Sequence, residues 1–268
     1  MGPKFLGSFE PIEVSDPELE RDGVRYLTFH SKSLLGRGDV SVFIPKGTRF
    51  PTEIPLVVML HGVYGSHWSW FLKGAAHRVA QQLIDTRQIR PMMLAAPSDG
   101  LSGDGSGYWK LPSRDVEAWI VDDVPSCIRT IFASNGPTFL CGLSMGGYAA
   151  LRLGFKYPLR YQAISAHSPI TQAEQLRDFV REGSLPVPDL ADPELDILRW
   201  ARAHSKELPA VRMDCGEDDP LSNATRHLDE ELTALGIEHT YDAFPGKHDW
   251  PYWREHLSDT LRFFDSVL

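Results

Sequence analysis

The sequence predicts an α/β fold: a mostly parallel twisted sheet with helices on both faces, antiparallel strands at an N-terminal edge, and a small cap insertion at about residues 170–208. All of it is expected in one domain spanning residues 1–268. Three observations carry this expectation. Continuous apolar runs of strand length, such as Leu56-Val57-Val58-Met59-Leu60, suit burial on both faces of a parallel sheet. Segments with apolar residues at helical spacing separate those runs, which is the alternation of a covered parallel sheet. One run, Thr138-Phe139-Leu140-Cys141, passes through Gly142-Leu143-Ser144-Met145-Gly146 into small residues, reading as strand, sharp turn and helix.

The elements follow in order. Val24, Tyr26 and Thr28, then Val40, Val42 and Ile44, alternate as strands do, so an antiparallel edge pair turning at Gly36-Arg37-Gly38 is expected. Pro51 and Pro55 bracket a loop before the Leu56–Leu60 strand, which ends in His61-Gly62-Val63-Tyr64-Gly65. Phe71, Ala75, Val79, Leu83 and Ile84 mark one helix from Trp70 to Ile89, and Pro91 to Pro97 supplies a strand. A glycine- and serine-rich loop from Ser98 to Lys110 precedes a helix from Asp115 to Phe132 that Pro125 should kink. The helix after Ser144 ends near Tyr157-Pro158, and Tyr161 to Pro169 gives the next strand. From Ile170 to Leu208 the rhythm breaks: Pro186, Pro188 and Pro193 interrupt polar helical pieces, which suits a cap over the carboxyl edge of the sheet. Pro209 to Cys215, Ser222 to Leu235, Glu238 to Phe244 and Trp250 to Val267 read as strand, helix, strand and helix.

Composition narrows the functional classes. Hydrophobic residues at 42% and charged residues at 24% suit a folded core, and a net charge of -9 without a Lys/Arg run argues against a nucleic-acid surface. The N-terminus lacks the apolar core of a signal peptide and no segment is long enough to span a membrane, so a cytoplasmic location and no membrane partner are expected. Cys127, Cys141 and Cys215 have no metal-ligand spacing and read as buried free thiols. No compact His, Asp and Glu set is visible, so no metal and no other cofactor are expected. A homo-oligomer stays open.

The chemistry centres on Ser144, which a sharp turn would push out of the sheet above a helix N-terminus. Serine is a weak nucleophile, so it needs a base and an acid to orient that base. Of the ten histidines, His248 follows the last strand, on the same edge as Ser144. His30, His77, His227, His239 and His256 read as solvated loop residues, His67 and His167 as pocket candidates, and His204 as part of the cap. Asp219, fixed by Pro220, is the expected orienting acid, with Asp218 as the alternative; Asp214 and Glu217 are expected to solvate the loop. The backbone N–H groups of Met145 and Val63, or alternatively Tyr64, are expected to hold a developing oxyanion. Tyr64, His67, Trp68, Tyr108, Trp250 and Trp253 would then wall a substrate pocket.

On these residues the sequence resembles the esterase D and feruloyl esterase branch of the α/β-hydrolases. The resemblance runs from about Val40 to the C-terminus. It rests on Leu60-His61-Gly62, Gly100 to Tyr108, Gly142-Leu143-Ser144-Met145-Gly146-Gly147, Gly216-Glu217-Asp218-Asp219-Pro220 and Pro245-Gly246-Lys247-His248-Asp249-Trp250. It implies an α/β-hydrolase fold and acyl transfer from a small-molecule ester or thioester. A serine carboxylesterase acting on acetylated or feruloylated carbohydrate, or on small aryl and alkyl esters, is expected first. An acyltransferase or a thioesterase using the same acyl-enzyme is the alternative. Where S-formylglutathione hydrolases of that family carry a cysteine soon after His-Gly, this chain reads Val63-Tyr64-Gly65.

Overall fold

The computed structural model describes residues 12–47, 53–181, 183–184 and 189–268. The N-terminal segment before Ile12, Pro51, Pro186 and Pro188 therefore lie outside the described residues. In chain order the elements are β1 (Ile12–Val14), β2 (Val24–Ser31), β3 (Gly36–Phe43), β4 (Leu56–Leu60), α1 (Ser69–Leu72), α2 (Ala76–Asp85), β5 (Met93–Pro97) and a small hairpin of β6 (Lys110–Leu111) and β7 (Arg114–Asp115). Then come α3 (Val116–Ala118), a π-helical turn (Trp119–Asp123), α4 (Val124–Phe132), β8 (Thr138–Leu143), α5 (Met145–Lys156), β9 (Ala163–His167), α6 (Ile197–Ala203), β10 (Ala210–Gly216), α7 (Ser222–Ala234), β11 (Thr240–Phe244) and α8 (Trp250–Ser266).

One nine-stranded sheet has the order β1-β2-β3-β5-β4-β8-β9-β10-β11. Every pairing from β5 to β11 is parallel, while β1, β2 and β3 join antiparallel at the N-terminal edge. Alternate residues of each central strand feed two separate cores, as the period of a strand requires. Leu56, Val58 and Leu60 face one core with residues of α3 to α7, whereas Val57 and Met59 face the other with residues of α1, α2 and α8. Helices thus cover both faces.

Three expectations change in detail. The β2–β3 turn falls at Lys32 to Leu35, and Gly36 to Gly38 belong to β3, because Trp119 packs so close to Gly38 that a Cβ there would come within 2.6 Å of its ring. The single helix expected from Trp70 to Ile89 is two, broken at Ala75, whose φ of 52° is left-handed. The Asp115 to Phe132 helix is interrupted by the π-helical turn before Pro125, which then sits in the first turn of α4. Between β9 and β10, Ala173–Asp178 forms a 3-10 helix whose Leu176 is buried, and α6 packs beside α5 and α7. Among the described residues no helix is long and apolar enough to cross a membrane.

Candidate active site

Ser144 lies between β8 and α5 with φ 54° and ψ -119°. A non-glycine residue in that region costs about 1–3 kcal/mol and persists only where its surroundings hold it. Here the Ser144 N–H donates to the His167 carbonyl at 3.0 Å, and the Ser144 carbonyl accepts from Tyr148 and Ile170. The turn also needs two glycines. A Cβ on Gly142 would stand 2.1 Å from the Gly146 carbonyl oxygen, and one on Gly146 would stand 2.3 Å from the Leu60 oxygen. The tight crossing sets the start of α5 beneath the hydroxyl.

His248 arrives on the loop after β11, beside Ser144 at the carboxyl edge of the sheet. Its Nε2 is 3.1 Å from Ser144 Oγ, and its Nδ1 is 2.9 Å from Asp219 Oδ2 and 3.1 Å from Oδ1. A carboxylate can only accept, so the ring proton belongs on Nδ1 and the Nε2 lone pair faces the serine. Asp219 is buried, and its Oδ1 also accepts the Leu221 N–H at 2.8 Å. The neighbouring Asp218 is exposed, and its backbone N–H donates to the Gly246 carbonyl. The imidazole is wedged between Trp253, edge-on at 5.0 Å, and Phe179 at 5.2 Å.

Two backbone donors flank Ser144: Val63 lines the same cavity as the serine, and Met145 follows it in the chain. Among the described residues, neither the Val63 nor the Met145 N–H has a hydrogen-bond partner, as expected at an open loop and at the first position of a helix. The Tyr64 N–H is already given to the Asp104 carbonyl at 2.9 Å, which removes Tyr64 as a donor. Gly62 allows the close approach: a Cβ on it would be 3.2 Å from Ser144 Cβ. In front of these groups lies a cavity of about 440 Å³ with Tyr64, Trp68, Trp250 and Trp253 among its walls. Phe179 and Lys73 also line it, the Lys73 ammonium sitting 5.5 Å from the Trp250 ring centre.

Other expected residues lie elsewhere. Tyr108 is fully buried with its hydroxyl donating to the His61 carbonyl, so it supports the Gly62 loop from behind instead of lining the cavity. His67 hydrogen-bonds the Ser41 hydroxyl through Nδ1, away from the cavity. Asp214 does not solvate its loop: it is fully buried with Arg212, His167 and Tyr252. Burial raises its pKa, but the charges and hydrogen bonds of His167 and Arg212 outweigh that and lower it to about 2. His167 is thereby a core residue. His77 packs against Phe43 and Phe71, His239 pairs with Asp229, and His256 stacks on Phe244, so none of these is a solvated loop side chain. His30 and His227 are exposed, but on β2 and α7. The three cysteines are buried and free. Phe179 and Lys73 carried no motif by which the sequence could have marked them, and Asp104 lies in the Gly100 to Tyr108 stretch without being singled out in it.

Comparison with known proteins agrees with this architecture. A family model described as "Putative esterase" matches residues 31–264. An acetyl esterase of Caldicellulosiruptor saccharolyticus is 24% identical over 275 residues, which cover 91% of this chain and 98% of that protein. A ferulic acid esterase structure superposes with a TM-score of 0.80 at 22% identity, over 91% of this chain and 98% of its own. An S-formylglutathione hydrolase of Staphylococcus aureus gives 0.77 at 18% identity, over 91% and 98%. The two superpositions show a shared fold.

Proposed function

The chain belongs to this esterase family and is a carboxylic ester hydrolase, and from that premise we propose that it works through an acyl-enzyme on Ser144. The observation that carries the reading is the unbroken hydrogen-bonded line from Asp219 through His248 to Ser144 at the floor of an aromatic cavity. His248 Nε2 takes the hydroxyl proton as Oγ attacks the ester carbonyl carbon. The carbonyl oxygen, now an oxyanion, receives the Val63 and Met145 N–H groups, which gain most when its charge is full. As the tetrahedral intermediate collapses, the alcohol leaves with the proton from His248. Water then repeats the sequence and releases the acid. Asp219 keeps the imidazole oriented and stabilises its positive form.

A cavity of about 440 Å³ walled by indoles suits acyl groups from acetyl to a single-ring aromatic acid, and the same indoles offer flat faces to a sugar. The substrates proposed are therefore small acetyl and aryl esters, including acetylated or feruloylated carbohydrate. Ser144→Ala should lower p-nitrophenyl acetate turnover by a factor on the order of 10⁴ or more while the thermal transition stays in place. A fluorophosphonate should label the parent protein once and the variant not at all. Substantial turnover or labelling in Ser144→Ala would overturn the assignment.

A further inference from the structure

The loop from Ser98 to Trp109 touches both proposed oxyanion residues from behind. Asp99 pins it by accepting the Leu101 and Ser106 N–H groups at 3.0 and 2.8 Å. Gly105 lies against the far side of the site: a Cβ there would come within 2.6 Å of Met145 Sδ and 3.2 Å of Val63 Cγ1. Beside it, Asp104 is buried and holds two different segments. Its backbone carbonyl accepts the Tyr64 N–H at 2.9 Å, and its Oδ2 accepts the Tyr64 hydroxyl at 3.3 Å. The same carboxylate accepts Arg181 three times, from the backbone N–H and Nε–H at 3.0 Å each and from Nη2 at 2.5 Å.

The grip on Tyr64 has a reason. Tyr64 has a φ of 58°, a left-handed conformation that a side chain with a Cβ adopts only under constraint. Relaxation of that angle would swing the preceding peptide units, and Val63, whose N–H has no partner among the described residues, is the adjacent residue. The geometry points to Asp104 as a positioning residue that, charge-paired with Arg181, holds Tyr64 left-handed and so aims the Val63 N–H at the oxyanion. The inference rests on the acyl-enzyme reading above. It adds that the segment following Phe179, a wall of the cavity, is tied to the oxyanion loop through Asp104, whose carboxylate accepts from Arg181 and whose backbone N–H donates to the Ser184 carbonyl.

Because the oxyanion exists only at the tetrahedral stage, a misaimed donor lowers kcat and leaves KM nearly in place. The experiment compares Asp104→Asn and Arg181→Met with the parent protein. It measures kcat and KM for p-nitrophenyl acetate, inhibition by a phenylboronic acid that adds to the serine, the fraction labelled by fluorophosphonate, and the melting temperature. Arg181→Met keeps the test alive if Asp104→Asn folds poorly, since the Arg181 side chain is 79% exposed. We expect kcat to fall about tenfold or more in each, since a lost donor costs up to about 10²–10³. KM should stay within about twofold, with boronate affinity falling in parallel with kcat and labelling complete. The double variant should be no worse than the poorer single one, because both break the same clamp. Unchanged kcat in both variants, a loss confined to KM, or labelling that declines in proportion to kcat would overturn the inference. Ser144→Ala run alongside separates the two failures. If it retains turnover, the acyl-enzyme reading itself is wrong; if it is inactive while both clamp variants keep parental kcat, only the role of Asp104 is wrong.

Discussion

Asp218 and Asp219 are adjacent in the chain and opposite in environment, one exposed and one buried against His248. An amide at position 219 can still hydrogen-bond, but it stabilises the wrong tautomer and cannot balance an imidazolium. Asp219→Asn should therefore lower kcat by a factor on the order of 10⁴, and Asp218→Asn should leave it near the parental value, as steady-state kinetics will tell. Asp214 illustrates what the sequence concealed. Four carboxylates crowd residues 214–219, and β10 is buried on both faces, so no polar alternation distinguishes the carboxylate that is buried with the core. One cue was present: Arg212 stands two residues earlier and so on the same face of the strand, an opposite charge within reach. Asp214→Ala would leave Arg212 with only the half-exposed Asp242 as a carboxylate partner and remove the carboxylate beside His167 Nδ1. It should cost about 3–5 kcal/mol in urea unfolding, the usual effect of removing one partner from a buried ion pair.

Among the elements, the strand-turn-helix at Ser144 was the most legible, because its glycines are demanded by backbone contacts that no other residue survives. Gly146→Ala puts a methyl 2.3 Å from the Leu60 carbonyl oxygen, which belongs to a central strand and cannot yield. We expect at least the ~1–3 kcal/mol of overpacking, read as a lowered melting temperature together with lost fluorophosphonate labelling. Helix interruptions were less legible. The apolar spacing from Phe71 to Ile84 continues through Ala75, so periodicity alone fused α1 with α2; only Gly74, where a Cβ would meet the Trp70 carbonyl at 2.7 Å, hinted at a break. A similar left-handed residue, Ala133, ends α4 with φ 51° and is exposed, so its methyl has little packing to lose. Ala133→Gly should stabilise the protein by about 0.5–1 kcal/mol, seen as a rise in melting temperature without change in turnover.

Over the whole molecule, buried carboxylates set the acid limit, and Asp104, held well below its ordinary range by hydrogen bonds from Arg181 and Ser184, is one of them. Glu117 resists its own burial because Arg152, Lys156 and Tyr157 surround it, and its pKa falls from 4.5 to about 2. Asp214 falls from 3.8 to about 2. Both are lowered on folding, so their stabilisation is complete above the unfolded values and is lost as pH drops toward 2. Burial lowers His67 and His77 from 6.5, so they take up a proton less readily folded than unfolded, which adds a shallower loss beginning below that value. The melting temperature should thus decline gently below about pH 6.5 and steeply from about 4.5 to 2, and Glu117→Gln should blunt the steep part. At this scale the parallel sheet and its chain order were readable, since continuous apolar runs mark strands buried on both faces. The three-residue β1 was not, being too short for any periodicity to register. The distribution of indoles has a practical side. Of the seven tryptophans, Trp68, Trp250 and Trp253 border the cavity, while Trp70, Trp109 and Trp119 are sealed in the interior. The protein therefore carries its own optical gauge: a ligand that expels water from the cavity should shift the emission to the blue, so that compounds it binds but never cleaves can be ranked by light alone.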